Sequence, residues 1–132
     1  MMTMKAIVLD DDPVFLTVLR ELLDCRGYEV ETYSSPAACP LYSGKGRPPA
    51  HAPKWPDVIL TDFNMPSVNG IEFVEELRRK GCTCKHIALI AGRNPDTSIQ
   101  HRATLLGLKF IAKPFRLQQF EGWLEEAERA CA

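Results

Sequence analysis

Charged residues stand where apolar runs stop. Ala6-Ile7-Val8-Leu9 ends in Asp10-Asp11-Asp12, Asp57-Val58-Ile59-Leu60-Thr61 in Asp62-Phe63-Asn64-Met65-Pro66, and Lys109-Phe110-Ile111-Ala112 in Lys113-Pro114. Carboxylates gathered in one pocket raise one another's pKa unless a cation joins them. An all-oxygen set of this kind suits a hard divalent ion such as Mg2+. Asp62 is the candidate nucleophile, because a carboxylate can take a phosphoryl group as an acyl phosphate. Asp10 and Asp11 are the candidate Mg2+ ligands. Lys113 is a point charge suited to the phosphoryl oxygens, and catalysis of phosphoryl transfer is mostly positioning and charge neutralisation. Pro114 is a candidate cis peptide that aims Lys113. This chemistry requires one fold that brings the three run ends together.

Short apolar runs bounded by turn signals read as buried strands, and here they alternate with amphipathic helices. That pattern predicts an α/β domain with a doubly wound parallel sheet, in which ligands bind beyond the carboxyl ends of the strands. The first strand is Met4–Leu9. Pro13 suits the opening turn of the first helix, whose inward face is read as Val14, Phe15, Val18, Leu19, Leu22 and Leu23, with Gly27 as its stop. Tyr28–Tyr33 alternates apolar and acidic residues, as an edge strand does. A short second helix is expected from Ser35–Pro36, cut off by Pro40. Residues 43–56 are rich in Pro and Gly and read as a loop insertion on the surface. The third strand is Val58–Thr61, and the third helix runs over Ile71–Lys80 with Ile71, Val74 and Leu77 inward. The fourth strand is His86–Ile90, and a Gly92–Pro95 turn leads to the fourth helix over Asp96–Leu106. The fifth strand is Lys109–Ala112. The fifth helix spans Arg116–Ala130, with Leu117, Phe120, Leu124, Ala127 and Cys131 at helical spacing.

These units use all 132 residues, so a single domain over 1–132 is expected. A composition 45% hydrophobic and 25% charged can bury an ordinary core. Net charge is −1 with no basic run, which gives no support for nucleic-acid or anionic-membrane binding. No apolar stretch nears the ~20 residues of a transmembrane helix, and the first residues lack a signal-peptide layout, so a cytoplasmic location is expected. The five cysteines, Cys25, Cys39, Cys82, Cys84 and Cys131, are odd in number and scattered, which predicts free thiols. Cys82-Thr83-Cys84-Lys85-His86 offers soft-metal donors, but a closed zinc site needs about four ligands and no second cluster is visible. The bland reading is a loop thiol at one position and a partly buried one before a strand.

Taken in order, Asp10-Asp11, Asp62 within Leu60-Thr61-Asp62-Phe63-Asn64-Met65-Pro66, Gly70, and Lys113-Pro114-Phe115 resemble a receiver domain of the bacterial two-component response regulators. The resemblance covers essentially the whole chain. It implies a flavodoxin-like receiver fold with five helices and strand order 2-1-3-4-5. It implies that Asp62 accepts phosphate from a sensor histidine kinase or a phosphotransfer protein. It assigns Mg2+ to Asp11, Asp62 and the backbone carbonyl of Asn64, with Asp10 acting largely through water. Asp12 reads as a helix N-cap or a first-turn acid favoured by the helix dipole. As a stand-alone receiver, the chain would catalyse only its own phosphorylation and dephosphorylation. Output would pass to a downstream protein or a second copy through the fourth helix, fifth strand and fifth helix.

One position departs from the family pattern. Receivers usually carry Thr or Ser at the end of the fourth strand, and here Ala91 stands there, followed by Gly92. Phe110 takes the place of the family's switch aromatic. The phosphorylation chemistry is therefore expected intact and the hydroxyl-linked switch weakened. Two other classes stay open. One is an interaction module that works without phosphorylation, suggested by Ala91. The other is a small Mg2+ phosphatase with an aspartate nucleophile in Asp10-Asp11-Asp12, as in haloacid-dehalogenase-like enzymes. The Pro13-Val14 that follows does not fit that pattern well. Flavodoxin-like nucleotide binding is disfavoured, since no Gly-rich loop follows the first strand.

Overall fold

The computed structural model describes residues 3–43, 55–92 and 96–131. Five parallel strands, β1 (Lys5–Leu9), β2 (Glu29–Tyr33), β3 (Val58–Asp62), β4 (His86–Ala91) and β5 (Lys109–Ala112), form one sheet in the order β2-β1-β3-β4-β5. Parallel neighbours need crossover connections. Four of the crossover and flanking elements are the helices α1 (Pro13–Cys25), α3 (Gly70–Arg79), α4 (Thr97–Leu105) and α5 (Leu117–Cys131). Between β2 and β3 lie a 3-10 turn (Pro36–Ala38) and the one-turn helix α2 (Pro40–Ser43). The doubly wound α/β expectation and the 2-1-3-4-5 order both hold. No helix among the described residues is long and apolar enough to cross a membrane.

Both faces of the sheet are covered, which is why its central strands are continuously apolar. Ala6, Val8, Val58, Leu60, Ala88, Ile90 and Ile111 pack with Leu19 and Leu23 of α1 and Phe120, Trp123, Leu124 and Ala127 of α5. Ile7, Leu9, Ile59, Ile87 and Leu89 pack on the other side with Ile71, Phe73, Val74 and Leu77 of α3 and Ala103 of α4. β2 has neither cover complete, and its half-exposed alternation marks it as the edge expected.

The register matters for the site. Leu9 pairs with Thr61, Asp62 with Ile90, and Ala91 with Ala112. Strands β3 and β4 each run one residue past their expected ends, so Asp62 and Ala91 belong to the ladder itself. The residues that follow Leu9 and Ala112 therefore emerge at the same edge as Asp62. The chain order reverses between β1 and β3, and this is where an open α/β sheet forms its crevice.

Several helical details depart from the sequence-based expectation. Val14 and Val18 are 70% and 47% exposed, so the inward stripe of α1 is Phe15, Leu16, Leu19, Leu22 and Leu23. Leu117 is 49% exposed and Cys131 is exposed, while Trp123 is buried in their place. In both helices a stripe wide enough to face the sheet takes the i, i+3, i+4 positions, and the apolar residues at its flank face water. Phe73 joins Ile71, Val74 and Leu77 in the core. The short helix expected from Ser35–Pro36 is the 3-10 turn, which ends at Cys39 just before Pro40, and Pro40 also opens α2, a role its missing N–H permits at a first turn. Of the 43–56 loop, residues 44–54 lie outside the described residues, as do residues 93–95 of the Gly92–Pro95 turn.

Helix ends follow their local chemistry. The Asp12 carboxylate accepts from the Val14 and Phe15 amides at 2.9 and 3.4 Å, capping α1 with Pro13 in its first turn. Gly27 stands at φ +88° just past the end of that helix, a conformation that L side chains resist. The ends of α1 and α5 are joined by Glu128, which accepts from Arg26 at 2.6 Å and from the buried Tyr28 hydroxyl at 2.8 Å. All five cysteines are free. Cys82 and Cys84 lie in the loop between α3 and β4, as expected, but both are buried there, more deeply than the sequence suggested. The Cys84 thiol donates to the carbonyls of Asp57 and His86, and burial pushes it up to about 12. Among the described residues the soft-metal clip does not form.

Candidate functional site

Three carboxylates and one ammonium meet where β1, β3 and β5 end. Asp10 is 1% exposed. Its Oδ1 accepts from the Asp12 amide at 2.9 Å, and its Oδ2 accepts from Lys113 Nζ at 2.9 Å. Asp62 closes β3 with its side chain 7% exposed, and its Oδ1 lies 3.4 Å from the same ammonium. Asp11 is exposed, and one oxygen from each of Asp10, Asp11 and Asp62 lies within 4.8 Å of the others. Sequence reasoning named these four side chains, and the fold brings them together. Asp12, one residue on, caps α1 instead of joining them.

Lys113 is fixed from its backbone outward. Its amide donates to the Ala91 carbonyl at 2.6 Å, which ties the chain after β5 to the end of β4. The Lys113–Pro114 bond is cis. The ammonium lies 4.4 Å from the centroid of the Phe15 ring, on the first turn of α1. Phe15 meets Phe115 edge-on at 5.6 Å, and Phe115 packs on Phe120 at 5.5 Å. Sequence reasoning had assigned Phe15 to the core alone.

The electrostatics are unbalanced toward negative charge. Burial pushes the Asp62 carboxyl up to about 6, and the charges of Asp10 and Asp11 push the same way, with Lys113 only partly offsetting them. Burial also works against the Lys113 ammonium, but its bond to Asp10 and the charges of Asp62 and Asp10 outweigh it and hold the lysine above its ordinary value. An acidic pocket that keeps a carboxyl at that level has room for one more positive charge. Its donors are all carboxylate oxygens, which is the set a hard divalent cation takes.

The loop after β3 is braced against this pocket. The Phe63 amide donates to the Ile90 carbonyl at 2.8 Å, and the Gly70 amide donates to the Phe63 carbonyl at 2.9 Å. Ser67 turns the chain at φ +72°, and Asn69 with Glu72 forms a capping box for α3. A Cβ on Gly70 would stand 2.5 Å from the Asp62 carbonyl oxygen and 2.6 Å from Leu89 Cδ1, so only glycine lets α3 start this close to the site. Asn64 lies in this loop, exposed, two residues past Asp62.

The remaining candidates sit on β4 and β5. Ala91 is 3% exposed and presents a methyl group where a donor would be needed. Gly92 is exposed just beyond it. Phe110 is half-buried and packs against the core on the α3 and α4 side of the sheet, outside the acidic pocket.

The chain is similar to several known proteins. The transcriptional regulatory protein KdpE of Mycobacterium tuberculosis is 32% identical over 124 residues, covering 93% of this chain and 50% of KdpE. Hybrid signal transduction histidine kinase C of Dictyostelium discoideum is 32% identical over 128 residues, covering 89% of this chain and 10% of that kinase. The chain thus spans half the length of the first and a small part of the second. The chemotaxis response regulator CheY4 of Vibrio cholerae superposes with a TM-score of 0.72 at 24% identity, over 96% of this chain and 99% of CheY4. The N-terminal domain of a Wolinella succinogenes protein superposes with a TM-score of 0.80 at 21% identity, over 97% and 96%. At such identities the superpositions speak for the fold alone. The family model of the response regulator receiver domain matches residues 6–125, a span that holds the whole acidic pocket and its lysine, and this chain belongs to that family.

Proposed function

We propose that the protein takes a phosphoryl group onto Asp62 from a phosphohistidine of a sensor histidine kinase or phosphotransfer protein, and signals through a protein contact that depends on this state. The observation that carries the reading is the Lys113 ammonium, 2.9 Å from Asp10 and 3.4 Å from Asp62, beside three carboxylates within 4.8 Å. An Asp62 oxygen attacks phosphorus, the donor's P–N bond breaks, and its electron pair stays on the imidazole nitrogen. The product is an acyl phosphate on Asp62, later returned to carboxylate and inorganic phosphate by water. Lys113 meets the transferred oxygens as a point charge. Asp11, Asp62 and the Asn64 carbonyl are the residues that would hold Mg2+, and both Asp10 oxygens already accept protein hydrogen bonds, which suits a role through water. When bound, the ion supplies charge neutralisation for the phosphoryl oxygens.

In this reading the protein is no enzyme toward other substrates. Its output would leave through α4, β5 and α5, toward a downstream protein or a second copy. A second reading, an interaction module indifferent to phosphorylation, has Ala91 in its favour. Acid-labile labelling with acetyl phosphate, with and without Mg2+, decides between them. Label is expected on wild type with Mg2+ and not on Asp62→Asn. Equal labelling of the two would sink the assignment, and loss with Asp10→Asn alone would favour the phosphatase-like alternative.

A further inference from the structure

We propose that Phe15 is a positioning residue of the phosphoryl site, holding the Lys113 ammonium by its ring face at the place where an incoming phosphoryl group arrives. The inference rests on the phosphoacceptor reading above. Lys113 Nζ has Asp10 at 2.9 Å, Asp62 at 3.4 Å and the Phe15 ring centroid at 4.4 Å. The lysine side chain is still 29% exposed, so the carboxylates alone do not enclose it. An aromatic face attracts an ammonium through its quadrupole and, unlike a third carboxylate, adds no charge that would repel a phosphoryl oxygen. It therefore restricts where the ammonium sits without opposing the chemistry.

The ring is itself held. Phe15 lies in the first turn of α1, where its amide donates to the capping Asp12 carboxylate at 3.4 Å. The ring packs against the core and meets the Phe115 ring edge-on at 5.6 Å, and Phe115 leans on the fully buried Phe120. Phe15, Lys113, Pro114 and Phe115 line a concavity of about 420 Å³ beside the ammonium. A lysine stem has several rotatable bonds, and catalysis by orientation is lost when a group wanders by about 1 Å.

Leucine at position 15 keeps an apolar side chain but has no ring face, while tryptophan keeps the face. The test compares wild type, Phe15→Leu and Phe15→Trp by Mg2+-dependent labelling rate with acetyl phosphate and by NMR of the Lys113 ε-methylene. In wild type the ε-methylene protons should be shifted upfield by the ring current. Phe15→Leu should lose that shift and label about three- to tenfold more slowly, and Phe15→Trp should restore both. Equal rates for Phe15→Leu and wild type would overturn the proposal. So would equal slowing of both variants, which would mark Phe15 as packing only. An unshifted Lys113 resonance in wild type would overturn it without any variant. A shifted resonance in a wild type that takes no label would instead defeat the phosphoacceptor reading and leave the placement of the ammonium standing.

Discussion

At the scale of single residues, Asp62 carries the tension of the pocket. Its carboxyl sits at about 6 instead of 3.8, first because it is buried and second because Asp10 and Asp11 face it. A folded carboxyl that holds its proton more tightly than the unfolded one adds stability below about pH 4 and loses it as pH rises through about 6. Asp62→Asn is therefore expected to be more stable than wild type at pH 7 in metal-free buffer, by on the order of 1–3 kcal/mol. The gap should close toward pH 4, and at pH 7 it should also close as Mg2+ is added. Urea unfolding of both proteins from pH 4 to 7 measures it. A wild type more stable than Asp62→Asn at pH 7 without metal would contradict the account. Asp10, Asp11, Asp62 and Lys113 were readable in the sequence because charge directly after an apolar run is conspicuous. Phe15 was not, because a phenylalanine on an amphipathic helix looks the same whether its ring meets leucine or an ammonium. The depth of burial of Cys82 and Cys84 was underestimated for a similar reason, since neither has the apolar neighbours that announce a core.

At the scale of elements, the contact between α3 and β3 is the tightest joint in the site. Gly70→Ala would press a methyl group onto the Asp62 carbonyl and the Leu89 side chain. Overpacking of this kind typically costs about 1–3 kcal/mol. The variant should melt lower, and Asp62 labelling should fall with it because the strand end moves. Gly122 in α5 is the control: a Cβ there meets nothing within 4 Å. Gly122→Ala should raise stability by up to about 1 kcal/mol through helix propensity, leaving labelling unchanged. Thermal melts of both variants separate the joint from a general effect of replacing glycine. The strands were legible because a sheet covered on both faces demands unbroken apolar runs. The helix stripes were legible only in part. Periodicity gives the direction of a stripe and not its width, so Val14, Val18 and Leu117 were placed inside and Trp123 was overlooked. Pro40 was read as a stop, which it is for the turn begun at Pro36, but the helix that it starts in its turn was overlooked.

At the scale of the whole molecule, the strand order was not derivable from spacing and came from the resemblance alone. On the proposed function, the order nevertheless gives a route by which a phosphoryl group on β3 would be felt on β5. Ala91 pairs with Ala112, and its carbonyl accepts from the Lys113 amide, so β4 joins the site to the strand that carries Phe110. The Ala91 methyl cannot report a new phosphate. Ala91→Thr would add one hydroxyl hydrogen bond to a charged group, enough to shift a two-state balance by roughly tenfold. The variant is expected to show larger beryllofluoride-induced NMR shifts around Phe110 than wild type does. Identical shift patterns would mean that the backbone link alone carries the signal.

The Asp10–Lys113 pair spans 103 positions of sequence. A ribosome therefore releases every carboxylate of the pocket long before the ammonium that makes it usable. A nascent chain halted anywhere before β5 has the three carboxylates but not the lysine that pairs with Asp10 and Asp62. On the function proposed above, such unfinished molecules would lack the lysine that meets the transferred oxygens, and competence would arrive only with the last strand and the Lys113 that follows it.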